Sequence, residues 1–241
     1  MNITCVWYVS RAVPPFERAI IANMASAFQA RGGELSLYVD GGMDGVETDG
    51  ACSWSALTGL ERFGKVLFSG GALWHLWGEP PAWWPLVRMR SRTAHTLGDA
   101  AGAEWRGYPS LLFPARAREG EAILIPAFGS RVSSDDAQSG PHVAGNTPLD
   151  AVRAAALTMR GLVTVGLESP YLDAILGPEG YFHVSEDAED TWRNAMTAAE
   201  SDEGRKRAAA ARHHIKDCCS PDRCADSLIA MYRKVLGGGA G

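Results

Sequence analysis

The sequence predicts an α/β protein of two Rossmann-like lobes, each built on a parallel sheet. Two observations lead there. Within about forty residues of the start, an aromatic and β-branched strand, an amphipathic helix and a second strand follow one another, a spacing that calls for a parallel crossover. After Gly107 the pattern starts again and runs almost to the end. The expected division is therefore residues 1–106 for an N-terminal lobe and 107–241 for a shortened C-terminal lobe, with the boundary in the stretch 106–120.

The first strand is Ile3 to Val9, ended by the break from Ser10 to Pro15. From Phe16 to Arg31 the residues Ile20, Ile21, Met24, Ala27 and Phe28 recur at helical spacing, and Gly32-Gly33 closes the run. Glu34 to Val39 is the next strand. A Gly- and Asp-rich loop, 40–50, leads to a helical stretch at 54–62 and a short strand at 65–69 before Gly70-Gly71. Residues 74–84 hold four of the eight tryptophans with Pro80 and Pro81. This stretch reads as a loop packed over the sheet edge, or as the lining of a pocket.

In the second half, strands are expected at 109–113 and 122–126, then a Gly- and Ser-rich loop at 129–145. Helix 149–159 ends at Gly161, strand 162–165 follows, then helix 171–176, strand 181–184 and helices at 188–199 and 203–236. The Gly-rich tail from 237 is expected to lack order.

Composition narrows the function classes. A chain of 241 residues with 46% apolar and 21% charged residues can bury a proper core, and its net charge of -5 makes neither nucleic acid nor an anionic membrane an obvious partner by bulk charge. Residues 1–10 lack the charged start and small-residue cleavage site of a signal peptide, and no long uncharged apolar run offers a membrane span. Five cysteines, an odd number without regular spacing, fit a reducing, cytoplasmic setting. Neither a Gly-x-Gly-x-x-Gly fingerprint after the first strand, a Walker A pattern nor a Gly-x-Ser-x-Gly elbow occurs, which disfavours dinucleotide dehydrogenases, P-loop enzymes and α/β-hydrolases.

The run Gly161-Leu162-Val163-Thr164-Val165, then Glu168, Leu172-Asp173-Ala174-Ile175, Gly177 and Gly180-Tyr181-Phe182-His183-Val184 resembles the nucleotide-sugar lobe of the group 1 glycosyltransferases of GT-B fold, the retaining, family 4 type. Arg205 to Arg212 and Ser220 to Tyr232 are similar to that family's closing helices, Lys65 to His75 to its strand and glycine-led helix, and Arg92-Thr93-Ala94-His95 to a Thr-x-His strand end. The resemblance implies a cleft between two lobes in which a sugar passes from a nucleotide-sugar donor to an unknown acceptor, without a metal or other cofactor. It also implies paired glutamates near Pro148 and Ala156, and neither position is acidic here. A catalytically inactive relative that binds a nucleotide, a glycan or a partner protein is the alternative.

Glycosyl transfer without a metal needs cationic or N–H groups at the leaving diphosphate. Ser130 and Arg131, with Thr147 at a helix start, are the candidates, and an ordinary N-cap beside a solvated arginine is the other reading. Glu168, directly after a strand, either binds a ribose or sugar hydroxyl or caps the next helix. His95 and Asp99 are the candidates for catalysis on the acceptor side, with a structural histidine as the alternative. His213, His214, Cys218, Cys219 and Cys224 invite a zinc reading, but their spacing is that of core thiols, and no metal is expected. A second lobe short of its first strands leaves a sheet edge for a second copy to cover, so a homodimer is expected.

Overall fold

The computed structural model describes residues 3–13, 15–43, 46, 48, 50–69, 71–96, 105–109, 121–124, 140–146, 148–185 and 188–237. The chain runs β1 (Thr4–Val9), α1 (Pro15–Ala30), β2 (Glu34–Val39), β3 (Ala51–Ser53), a 3-10 turn (Trp54–Ala56), α2 (Gly59–Phe68), β4 (Leu73–Trp77), α3 (Trp84–Arg88) and β5 (Thr93–Thr96). It continues with β6 (Trp105–Pro109), β7 (Glu121–Leu124), β8 (His142–Ala144), α4 (Pro148–Met159), β9 (Thr164–Leu167), α5 (Pro170–Leu176), β10 (Phe182–Val184), α6 (Glu189–Ala199), α7 (Asp202–Cys218) and α8 (Pro221–Gly237).

Two parallel sheets result. One has the strand order β3-β2-β1-β4-β5-β6-β7 and the other β10-β9-β8. Arg106 and Gly107 are consecutive residues of β6, so the first sheet runs on past the expected division, and the sheets part between Leu124 and His142.

The centre of the first sheet is apolar on both faces because helices cover both. Trp7 and Trp77 point toward α1 and α8, where Phe28 and Tyr232 meet them. Tyr8, Trp74 and Leu76 point the other way and pack with Trp54, Trp84 and Val87. In the second sheet Val165 and Val184 lie against Ala199 and Ala208 of α6 and α7. α4, α5 and α8 share one continuous core with α1.

The tryptophan-rich stretch departs from expectation. Its first part is β4, a central strand, and Trp74, Trp77 and Trp84 are fully buried. Residues 65–68 are helix instead of strand. Thr58 and Glu61 form a reciprocal capping box, Glu61 N–H donating to Thr58 Oγ1 (3.3 Å) and Thr58 N–H to Glu61 Oε2 (2.7 Å). That cap starts α2 late, and it then continues to Phe68. β8 lies inside the stretch expected to be a Gly- and Ser-rich loop.

The last helix returns to the first sheet. Arg31 at the end of α1 pairs with Asp222 (3.1 Å) and Asp226 (3.6 Å) of α8. Deeper in, the Tyr232 hydroxyl reaches His75 Nδ1 of β4 at 2.7 Å.

Candidate functional site at the carboxyl ends of the two sheets

In parallel α/β sheets ligands bind where strands end and helices begin. At that edge of the first sheet, Ser10 N–H donates to Trp77 O (2.8 Å), Asp40 N–H to Val9 O (2.9 Å) and Gly78 N–H to Thr96 O (2.8 Å), which holds the strand-end loops together. Gly78 has a φ of +94°, and a Cβ there would lie 2.7 Å from Val13 Cγ2. Only glycine meets both demands. Arg18, buried in α1, spreads its guanidinium over three carbonyls, those of Val13 (2.8 Å), Arg11 (3.0 Å) and Gly42. One side chain thus fixes the loops after β1 and β2. Asp40 accepts from the Tyr8 hydroxyl (3.1 Å) and lies 3.6 Å from Arg11. Burial first, and the Asp40 charge second, push the Tyr8 phenol above its usual range.

The second sheet presents Gly145, Glu168 and Ser169 at its own carboxyl edge. Ser169 Oγ accepts from Tyr171 N–H (3.2 Å) and caps α5, while Pro170 fills the first helical position. Glu168 is therefore not the cap, and it stands exposed, with its N–H donating to Val184 O (3.3 Å). Behind it the Tyr181 hydroxyl donates to Asp173 Oδ1 (2.9 Å) and accepts from Ser169 N–H (3.3 Å). At Gly145 a Cβ would fall 2.3 Å from Asp150 Oδ2. The Asp150 carboxylate thus lies against the backbone that leads into α4.

The two edges meet. Arg153 of α4 reaches Glu17 in the first turn of α1, Nη2 to Oε1 at 3.3 Å. Both residues stand within two turns of a helix start, so the carboxyl ends of β1 and β8 border a common region. Glu17 is buried, and burial raises its pKa while the Arg153 charge and hydrogen bond oppose the rise.

Of the residues singled out above, Glu168 directly follows β9 and is exposed at the carboxyl edge of the second sheet. His95 lies in β5 but is fully buried, and its Nε2–H donates to the Gly78 carbonyl at 2.7 Å. This is the structural alternative, since a carbonyl can only accept and the ring supports the Gly78 turn. Asp99, Ser130, Arg131 and Thr147 lie outside the described residues. Glu17, Arg18, Asp40 and Arg153 were not singled out. A glutamate and an arginine at a helix start are common, and their tertiary partners leave no local signal. Among the described residues no group of His, Cys, Asp and Glu side chains is arranged to hold a metal ion. Cys218 Sγ lies 3.3 Å from His214 Nε2, while the buried Cys219 has its thiol pushed up to about 12 by burial.

No family model matches the chain, and no curated protein matches it in sequence. Solved structures do match in shape. A glycosyltransferase from Rickettsia africae ESF-5 superposes with a TM-score of 0.59 at 10% identity, covering 98% of this chain and 99% of that one. AviGT4, a glycosyltransferase involved in avilamycin A biosynthesis, gives 0.53 at 12% identity over 98% and 99%. The spinosyn forosaminyltransferase SpnP gives 0.51 at 11% over 96% and 99%. The likeness is one of fold: the chain has the two Rossmann-like, parallel-sheet lobes of the GT-B glycosyltransferases. No helix among the described residues is long and apolar enough to cross a membrane.

Proposed function

We propose that the chain transfers a sugar from a nucleotide-sugar donor to an acceptor in the cleft between its sheets, as a shortened relative of the group 1, retaining glycosyltransferases. The observation that carries this reading is the Glu17–Arg153 contact, which joins the helix starts that follow β1 and β8, while Glu168 stands exposed at the carboxyl end of β9. In this reading the first sheet, which extends past the division expected near residue 106, forms the acceptor-side lobe, and the remainder forms the donor-side lobe. Glu168 accepts a hydrogen bond from a ribose or sugar hydroxyl, and Ser130, Arg131 and Thr147 are assigned the role of binding the diphosphate. Asp99 serves the acceptor, and His95 acts through the Gly78 turn. The five free thiols support a reducing, cytoplasmic location, and the exposed Val143 on the edge strand β8 supports a second copy at that edge.

A second reading, a non-catalytic binder of nucleotide, glycan or protein, is favoured by one specific arrangement. The Asp150 carboxylate sits where a diphosphate would approach the start of α4, and like charges there repel. Ala156, near which the family would carry a donor-binding glutamate, is buried in the core.

Thermal unfolding in the presence of UDP, GDP, ADP and their sugar conjugates separates the readings, because a ligand that binds only the folded state raises the melting temperature. A shift with one nucleotide class, lost in Glu168→Gln, and release of that nucleotide during turnover with an acceptor are the expected results. A nucleotide-induced shift without turnover favours the binder. No shift at about a thousandfold above micromolar affinity overturns both nucleotide readings.

A further inference from the structure

Of the six large apolar side chains that stand exposed among the described residues, five are gathered on α2, α3 and the residue after α3. They are Leu60 (81% exposed), Phe63, Phe68 (85%), Leu86 and Met89 (82%). The two helices touch, so these side chains belong to one region of the surface. Isolated exposed apolar residues are ordinary, but a group containing two phenylalanines is not. An open groove of about 760 Å³ runs beside α2, with Phe68, Tyr38, Trp74 and Lys65 in its walls. It lies toward the amino ends of β1 and β4, away from the carboxyl edge that carries Glu168.

The charges around this group differ from those of the whole chain. Between residues 54 and 92 there are five basic residues, Arg62, Lys65, Arg88, Arg90 and Arg92, and two acidic ones, Glu61 and Glu79, in a chain whose net charge is -5. Glu61 is engaged in the capping box of α2, and Glu79 lies beyond the far end of β4. Lys65, Arg88, Arg90 and Arg92 are exposed. A two-fold contact through this face would set the same arginines of two copies against each other, which disfavours a second copy as the occupant.

We propose that the α2–α3 face docks on an anionic lipid surface, with Leu60, Phe63, Phe68 and Met89 entering the interfacial layer and the basic side chains meeting the headgroups. Aromatic and aliphatic side chains rimmed by lysine and arginine are the composition of an interfacial anchor. The chain's overall negative charge makes the orientation selective, because the rest of the surface is repelled by the same bilayer.

The test is co-sedimentation of the full chain with vesicles of phosphatidylcholine alone and with about one third phosphatidylglycerol, at about 0.1 M and 0.5 M salt. Expected is binding to the anionic vesicles, weakened by salt, with little binding to phosphatidylcholine. Arg88→Gln with Arg90→Gln should lower the affinity about thirtyfold, and Phe63→Ser with Phe68→Ser should abolish it. Both pairs are exposed, so unchanged melting temperatures verify the fold of each variant. No binding to anionic vesicles, or equal binding to both kinds, overturns the proposal. So does a dimer, seen by light scattering, that the phenylalanine variant dissolves. Each readout is independent of sugar transfer.

Discussion

The hydroxyl of Tyr232, in the last helix, lies 2.7 Å from Nδ1 of His75 in a central strand of the first sheet, and the other ring nitrogen of His75 lies 2.6 Å from Thr96 Oγ1. All three residues are fully buried. A polar chain therefore runs through the core from α8 across β4 to β5.

Tyr232→Phe removes one link and leaves a buried ring nitrogen without that partner. The expected loss is about 1–3 kcal/mol of stability, read from urea denaturation midpoints at neutral pH. A change inside the error of the midpoint would show that the hydrogen bond contributes nothing net.

His75 also predicts a pH dependence. Burial holds its pKa well below the ordinary 6.5, with the neighbouring His95 adding to the shift. The unfolded chain takes up this proton below about pH 6.5 and the folded chain does not. Its contribution to stability is thus complete above pH 6.5 and is lost as pH falls below it, by at most about 1.4 kcal/mol per pH unit. His142 shifts in the same direction, mainly through burial. The diagnostic is therefore a difference: His75→Gln should have a shallower loss of stability between pH 6.5 and 5 than the wild type. Parallel curves would mean that His75 is protonated in the folded state.

The contact between Glu17 and Arg153 carries a dependence of opposite sign. Burial raises the Glu17 pKa, so its contribution is largest below 4.5 and is lost as pH rises through the folded value. Arg153→Ala removes the charge that opposes this loss. The variant should fall short of the wild type by about 1–3 kcal/mol at pH 7, and the deficit should shrink toward pH 4.5. A deficit that stays constant with pH would assign the effect of Arg153 to packing alone.

Two glycines with the same backbone demand separate strain from contact. Gly71 has a φ of +93° and nothing within 4 Å of an added Cβ, while Gly78 has a φ of +94° and Val13 in the way. Gly71→Ala should cost about 1 kcal/mol. Gly78→Ala should cost at least about 1 kcal/mol more, and it should shift the Ser10–Val13 loop. Equal thermal shifts in the two variants would show that Val13 yields without cost.

Much of the fold was legible because the elements obey simple periods. β1, α1, β2, α4, α5, β10 and α6 fall within a few residues of where apolar spacing and glycine stops place them, while the stretch expected as one helix with breaks at 203–236 is two, α7 and α8, parted at Cys219 and Ser220. β4 was not legible. A strand paired on both edges and covered on both faces needs apolar residues at every position, and Leu-Trp-His-Leu-Trp beside two prolines has no alternation to show. α2 and the expected strand at 65–69 were exchanged for a related reason, since a short apolar run is ambiguous and the capping box decided it. In the candidate site, Glu168 could be placed because it adjoins a strand. The Glu17–Arg153 contact joins residues 136 apart and had no sequence signature.

The return of α8 to α1 bears on how the protein is made. Ribosomes deliver the first sheet long before residues 221–237 exist, so the face of β1 and β4 that Tyr232 and its helix cover must wait through the synthesis of about a hundred further residues. During that interval Trp7, His75 and Trp77 lack part of their cover, and the apolar face of the first sheet is open to association with other chains. Expressed alone, the first half would retain that exposed face, whereas supplying α8 in trans would offer it the missing surface.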